Sequence, residues 1–219
     1  MKCPRCVQKI HRGAESCPRC GFSLHDADEL FADVPVHLPA LADRAGLLRL
    51  AERNRVSRAM RRFTSRFPEL FFAVYTGVFR DHESLRVCGF WVLNRIRLEN
   101  HSDLANESCV LLVMDAERKA ATLSFGYHFD AYLNEDDTFF CLSKAHPHWL
   151  EARYGDGIEA LMGALAQILA KRSVQVKRNP LAFARRVLTT SALKKWSAAK
   201  TSVQDWAQDG TSKNKEGES

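Results

Sequence analysis

The spacing of apolar residues changes period along the chain, and each change marks an element. Leu47, Leu50, Ala51, Val56, Ala59, Met60 and Phe63 fall close to helical spacing, with arginines on the other face until Pro68. That pattern predicts a helix beginning near Asp43. ELFFAVYTGVF, CVLLVMD and AATLSFGY are of strand length and rich in β-branched, aromatic or other apolar residues, and AERK makes the turn between the latter two. Between the first two strands, SLRVCGFWVLNRI aligns Leu85, Cys88, Val92 and Ile96 at helical spacing, which supplies a crossover helix. Two more helices follow. One runs from about Glu135 through Trp149 with a bend near Pro147; the other runs from Asp156 to Lys171 with Ile158, Leu161, Leu165, Ile168 and Leu169 on one face. The order α-β-α-β-β-α-α predicts an α/β domain over residues 41–172, a mixed β-sheet sandwiched between helices.

The flanks read differently. Residues 25–40 carry four acids, two prolines and little periodicity, as a linker does. After Asn179 and Pro180, an N-cap and a first-turn proline, Leu181, Ala184, Leu188, Ala192, Trp196, Ala199, Val203 and Trp206 recur every three or four residues. They predict a basic amphipathic helix within residues 173–209. Its stripe either packs on the domain or, through residues 180–206, meets a partner or an anionic membrane surface. Residues 210–219 have the composition of a disordered tail.

Composition adds a core and a location. With 219 residues of which 46% are hydrophobic, the chain can bury a sizeable interior. Its start lacks the apolar stretch of a secretory signal, and no run approaches the roughly 20 apolar residues that span a bilayer, so a cytoplasmic protein is expected. The net charge of +6 is segregated. Residues 41–67 hold eight arginines against two acids, residues 68–170 hold eight bases against fifteen acids, and residues 171–200 hold nine bases and no acid. Such basic blocks attract nucleic acid or anionic lipid, or form solvated helix faces.

The most direct chemistry lies in two CPRC knuckles, Cys3, Cys6, Cys17 and Cys20. A Cys-x-x-Cys turn lets two thiolates grip one ion, and two such turns complete the tetrahedral shell of a structural Zn²⁺, so residues 1–24 read as a zinc ribbon. Two redox dithiols or two disulfides are the alternatives. A segment so short would draw most of its folding free energy from the metal. Cys88, Cys109 and Cys141 sit in apolar contexts as reduced core thiols.

From about Leu41 to Ala170 the succession of segments resembles the TPM domain, a family named after a thylakoid-lumen protein, a photosystem II repair protein and a modulator of acetylcholine receptors. The residues that carry the resemblance are the Asp43-to-Leu48 helix start, the first strand ending near Gly77, the WVLNRI helix, the ANESCVLLVMDAERKAATLSFGY hairpin, and PHWLEARYGDGIEAL. Within them Arg118, Gly126, Tyr127, Glu135, Tyr154 and Gly157 stand at the family's recurring positions, while Glu107, His128 and Asp130 depart from it. Some members are described as acid phosphatases, and calcium binding is associated with the fold. The resemblance therefore implies a carboxylate-lined site. Asp115, Asp130 and Asp156 are the candidate ligands for Ca²⁺ or Mg²⁺, and acids at helix starts that merely favour the macrodipole are the alternative.

No phosphatase signature designates a catalytic residue. Three functions follow from the residues and the resemblance. The first is a non-enzymatic module that binds a protein. The second is a metal-assisted phosphatase acting on phosphomonoesters. The third is a nucleic-acid-binding protein using the ribbon, the Arg44-to-Arg66 face and the basic segment from Lys171 to Lys200, a case that rests on charge alone.

Overall fold

The computed structural model describes residues 2–10, 14–31, 37–79, 84–95, 97–98, 108–129 and 132–178. Its elements are α1 (Leu24–Leu30), β1 (His37–Leu38), β2 (Leu41–Asp43), α2 (Leu50–Arg66), β3 (Phe71–Gly77), α3 (Leu85–Arg95), β4 (Arg97–Leu98), β5 (Cys109–Asp115), β6 (Ala120–Phe125), α4 (Glu135–Leu150) and α5 (Tyr154–Arg178). The expected α/β class is observed. Four strands form one mixed sheet in the order β2-β3-β5-β6, in which β2, β3 and β5 run parallel and β6 returns antiparallel. Parallel pairing of β3 with β5 needs a crossover, and α3 is part of it. Met1–Lys171 form one compact unit; of the second, Arg172–Ser219, the described residues are 172–178.

Alternation along the strands builds two cores. Phe72, Val74, Val110, Leu112 and Leu123 pack with Val56, Met60 and Phe63 of α2, Cys141 and Trp149 of α4, and Ile158, Leu161 and Leu165 of α5. Their neighbours Phe71, Ala73, Leu111 and Val113 point to the other face and pack with Val87, Cys88, Trp91 and Val92 of α3. β3 and β5 are buried along their whole length, as strands covered on both faces must be. Cys88, Cys109 and Cys141 are buried, and burial pushes the Cys109 and Cys141 thiols up, the latter to about 12.

One expectation is corrected, and a second segment carries short elements. The helix expected near Asp43 begins at Leu50, and Asp43 instead closes β2, paired in register with Thr76. The Asp43 carboxylate accepts the backbone N–H groups of Leu47 and Leu48 at 2.9 and 3.0 Å, as an N-cap would, but Gly46 at φ +66 turns the chain off the helical path. The helix forms after that turn, where Glu52 accepts the N–H of Arg49. The linker expected at 25–40 holds α1 and β1. Ser23 and Asp26 form a capping box at the start of α1, and Asp28 binds α3 through Trp91 Nε1 at 2.9 Å and Arg95 Nη2 at 2.6 Å.

α4 carries Pro147 inside it, and α5 extends past the expected Lys171. The expected amphipathic helix and tail beyond residue 178 lie outside the described residues. Among the described residues no helix is long and apolar enough to cross a membrane.

Candidate metal centre

The two knuckles are one turn used twice, fourteen positions apart in KCPRCVQK and SCPRCGFS. In the first, Cys3 N–H donates to Gln8 and Val7 N–H donates to Cys3; in the second, Cys17 N–H donates to Phe22 and Gly21 N–H to Cys17, all between 2.8 and 2.9 Å. An antiparallel bridge closes each, Lys2 with Lys9 and Ser16 with Ser23. The residue after each second cysteine takes positive φ, 64° at Val7 and 73° at Gly21. This turn aims two sulfurs from each knuckle at one point.

Sγ atoms of Cys3, Cys6, Cys17 and Cys20 all lie within 4.8 Å of one another. Across the knuckles, Cys3 stands 3.7 Å from Cys20 and Cys6 stands 3.5 Å from Cys17. A tetrahedron with metal–sulfur bonds of about 2.3 Å has edges of roughly 3.8 Å, so the spacing fits a four-thiolate metal site. It is far from the roughly 2.05 Å of a disulfide, and all four cysteines are free. Cys3 and Cys17 are buried, Cys6 and Cys20 half-buried.

The thiols' acidities show why such a cluster wants a cation. At Cys17 burial pulls upward, but the backbone amides of Cys20 and Arg19 and the neighbouring thiols outweigh it and lower the group to about 6. Cys20 gains from the Phe22 amide yet is pushed up to about 12 by burial and by Cys6, Cys17 and Cys3. Cys3 is raised, chiefly by burial. The Cys17 thiolate forms readily while Cys3 and Cys20 resist ionising; a bound divalent ion removes that penalty.

The centre is built into the domain. Cys3, Ile10, Cys17 and Phe22 belong to the same buried cluster as Trp91, Leu111 and Val113. Phe22 meets Phe90 edge-on with ring centroids 5.8 Å apart. Arg86 of α3 holds the first knuckle by its Pro4 carbonyl. The fourteen-residue repeat was visible in the sequence beyond the four cysteines; the Arg86 contact, made across 82 positions, had no local signal.

The carboxylates are placed otherwise. Asp115 is buried at the end of β5, where its Oδ1 accepts the N–H groups of Glu117 and Arg118 and its Oδ2 lies 3.6 Å from Arg118 Nε. Asp156, at the start of α5, pairs with Arg55 and with Arg153. By strand alternation Asp115 is on the α3 side of the sheet, whereas α5 packs on the other, so the structure does not bring these two together. Asp130 lies outside the described residues, as does Glu107. Among the described residues, the four cysteines are the one group of three or more cysteine, histidine or acidic side chains gathered closely enough to hold an ion.

Comparison with protein-family models finds no match, and neither does comparison with curated proteins. Among solved structures the chain is similar to the solution NMR structure of the N-terminal domain of a protein from P. gingivalis. The two are 21% identical over 69% of this chain and 93% of that one, with a TM-score of 0.48.

Proposed function

We propose that the chain is a non-enzymatic protein-binding module in which a structural Zn²⁺, held by Cys3, Cys6, Cys17 and Cys20, fixes a ribbon onto a TPM-like α/β domain. The observation that carries this reading is the four-sulfur cluster sharing one buried core with α3 and the sheet. Four thiolates fill the coordination shell, leaving no open position for substrate, which is the mark of a structural site.

The phosphatase reading has less beneath it. Asp115 serves the β5–β6 turn and Asp156 serves an ion-pair network joining α5 to Arg55 of α2. The nucleic-acid reading loses part of its arginine face, because Arg53 pairs with Asp43 and Arg55 with Asp156 and Glu159. The test offers zinc-loaded protein p-nitrophenyl phosphate with Mg²⁺ or Ca²⁺, and separately single- and double-stranded oligonucleotides at low salt. No turnover and no retention are expected. Hydrolysis that disappears in Asp115→Asn, or tight retention of nucleic acid, would overturn the reading.

A further inference from the structure

β6 is the outer strand of the four-stranded sheet. Gly126 N–H donates to the Cys109 carbonyl at 2.9 Å, and with Val110 opposite Phe125 this sets the phase of the ladder. Thr122 and Ser124 then exchange hydrogen bonds with β5, while Ala121, Leu123 and Phe125 direct N–H and C=O away from it. Among the described residues these outward groups make no backbone hydrogen bond outside the ladder. Sheet edges are commonly blunted by Lys, Pro, a bulge or a cover. The sequence AATLSF contains no lysine, proline or other charge.

The edge is instead the floor of a cavity of about 470 Å³. The first cysteine knuckle and α3 form one wall, contributing Lys2, Lys9 and Arg86; the start of α4 forms the other, with Thr138 and Leu142. Lys2 pairs with Glu135 at 2.7 Å. Lys9 and Arg86 have no carboxylate partner among the described residues, and Arg86 spends one N–H on the Pro4 carbonyl. One wall is therefore cationic and the other mixed, with Leu133 and Leu142 beside Asn134, Thr138 and the Lys2-paired Glu135, and the unpaired strand edge lies between them.

We infer that this edge is a docking site for an extended acidic peptide that adds to β6 as a fifth strand. Side chains of an added strand alternate between the two walls, so the partner sequence alternates acidic residues, under Lys9 and Arg86, with apolar residues against Leu123 and Leu142. Charge argues against two other occupants. A second copy paired through β6 would bring two Lys9–Arg86 walls together, and this chain's own residues 171–200 carry nine bases and no acid. The inference rests on the protein-binding reading above and gives that reading a place and a partner chemistry.

The experiment selects displayed random peptides of about eight residues, longer than β6, against the zinc-loaded full chain. Enrichment of alternating acidic and apolar residues is expected. Ala121→Pro removes an outward N–H without touching the β5 ladder, and should weaken those peptides about tenfold while the protein stays folded. Lys9→Glu, at an exposed position, should weaken them similarly and reduce their salt dependence; it decides the matter should the proline variant fail to fold. Enriched peptides that bind both variants as tightly as the parent chain overturn the edge site and leave the protein-binding reading standing. Failure to enrich any peptide overturns the inference while zinc content and the absence of turnover remain separately measurable. A dimer that dissociates on Ala121→Pro overturns it in favour of a second copy.

Discussion

Arg86 Nη2 donates to the carbonyl oxygen of Pro4 at 3.2 Å, joining α3 to the turn between Cys3 and Cys6. Pro4 is buried, whereas its counterpart Pro18 in the second knuckle is exposed. Both knuckles are fastened to α3, the first by Arg86 at the Pro4 carbonyl and the second by Phe22 packed edge-on against Phe90. Removing the ion should loosen both knuckles and expose Cys3, Cys17 and Phe22, which pack in the core beneath them.

Purified, metal-replete protein should contain one equivalent of zinc per chain by elemental analysis. Cys17→Ser or Cys3→Ser should reduce this below about half, because three thiolates leave a tetrahedral site open. Zinc should also be released as pH falls, since its ligands must be deprotonated to bind. Retention of full zinc in both variants would place the metal elsewhere.

Val7 and Gly21 hold the same left-handed turn position, but a β-branched side chain resists that conformation. Val7→Gly should raise stability by about 1 kcal/mol, and Gly21→Ala should lower it by about as much. At Gly21 a Cβ would meet nothing within 4 Å, so that cost is conformational. Denaturant unfolding of the zinc-loaded proteins measures both; equal and opposite signs are expected.

Asp43 is a buried carboxylate with four hydrogen-bond donors around it. It receives Thr76 Oγ1 at 2.6 Å, the amides of Leu47 and Leu48, and Arg53 Nη2 at 3.1 Å. Burial pushes its pKa up, yet these donors together hold it below the ordinary carboxylate value. Because the unfolded chain takes up the proton more readily, the contribution is complete above the unfolded pKa of about 3.9 and is lost as pH falls through the lower folded value. Asp43→Ala should cost about 2–4 kcal/mol at neutral pH and lessen the fall of stability with acid. Thermal melts from pH 7 down to about 3 check both statements.

Gly89 lies in α3 where the helix backbone crosses β6, and an added Cβ would collide with the Ser124 side chain. Alanine normally favours a helix over glycine by about 1 kcal/mol. Here the collision should prevail, making Gly89→Ala destabilising by about 1–3 kcal/mol. Relief by the double change with Ser124→Gly would identify the collision as the cause.

The strands and core helices were legible because each carries a pattern no other element shares. β3 and β5 are apolar runs but for Thr76 and Asp115 at their ends, and α3 repeats Leu85, Cys88 and Val92 at one helical face. Asp43 misled because its signal is real but local: it does cap backbone N–H groups, and what ends the turn is the φ of Gly46, three residues later. α1 escaped notice because seven acidic-rich residues draw their stability from contacts with Trp91 and Arg95, more than sixty positions away. β1 and β4, two residues each, have no period to read. At the site, the four cysteines announced themselves by spacing, whereas the groove is assembled from a knuckle, α3, β6 and α4, and only the fold brings these together.

Because the four cysteines share a buried core with α3 and the sheet, the zinc-bound ribbon and the α/β domain should melt as one cooperative unit, and calorimetric melting of the full chain with and without a zinc chelator is the test. A single main transition should move down by roughly 10 °C on chelation, because loss of the ion removes the cover over Trp91, Leu111 and Val113. A main transition that stays within about 1 °C while zinc is shown to have left would contradict the claim.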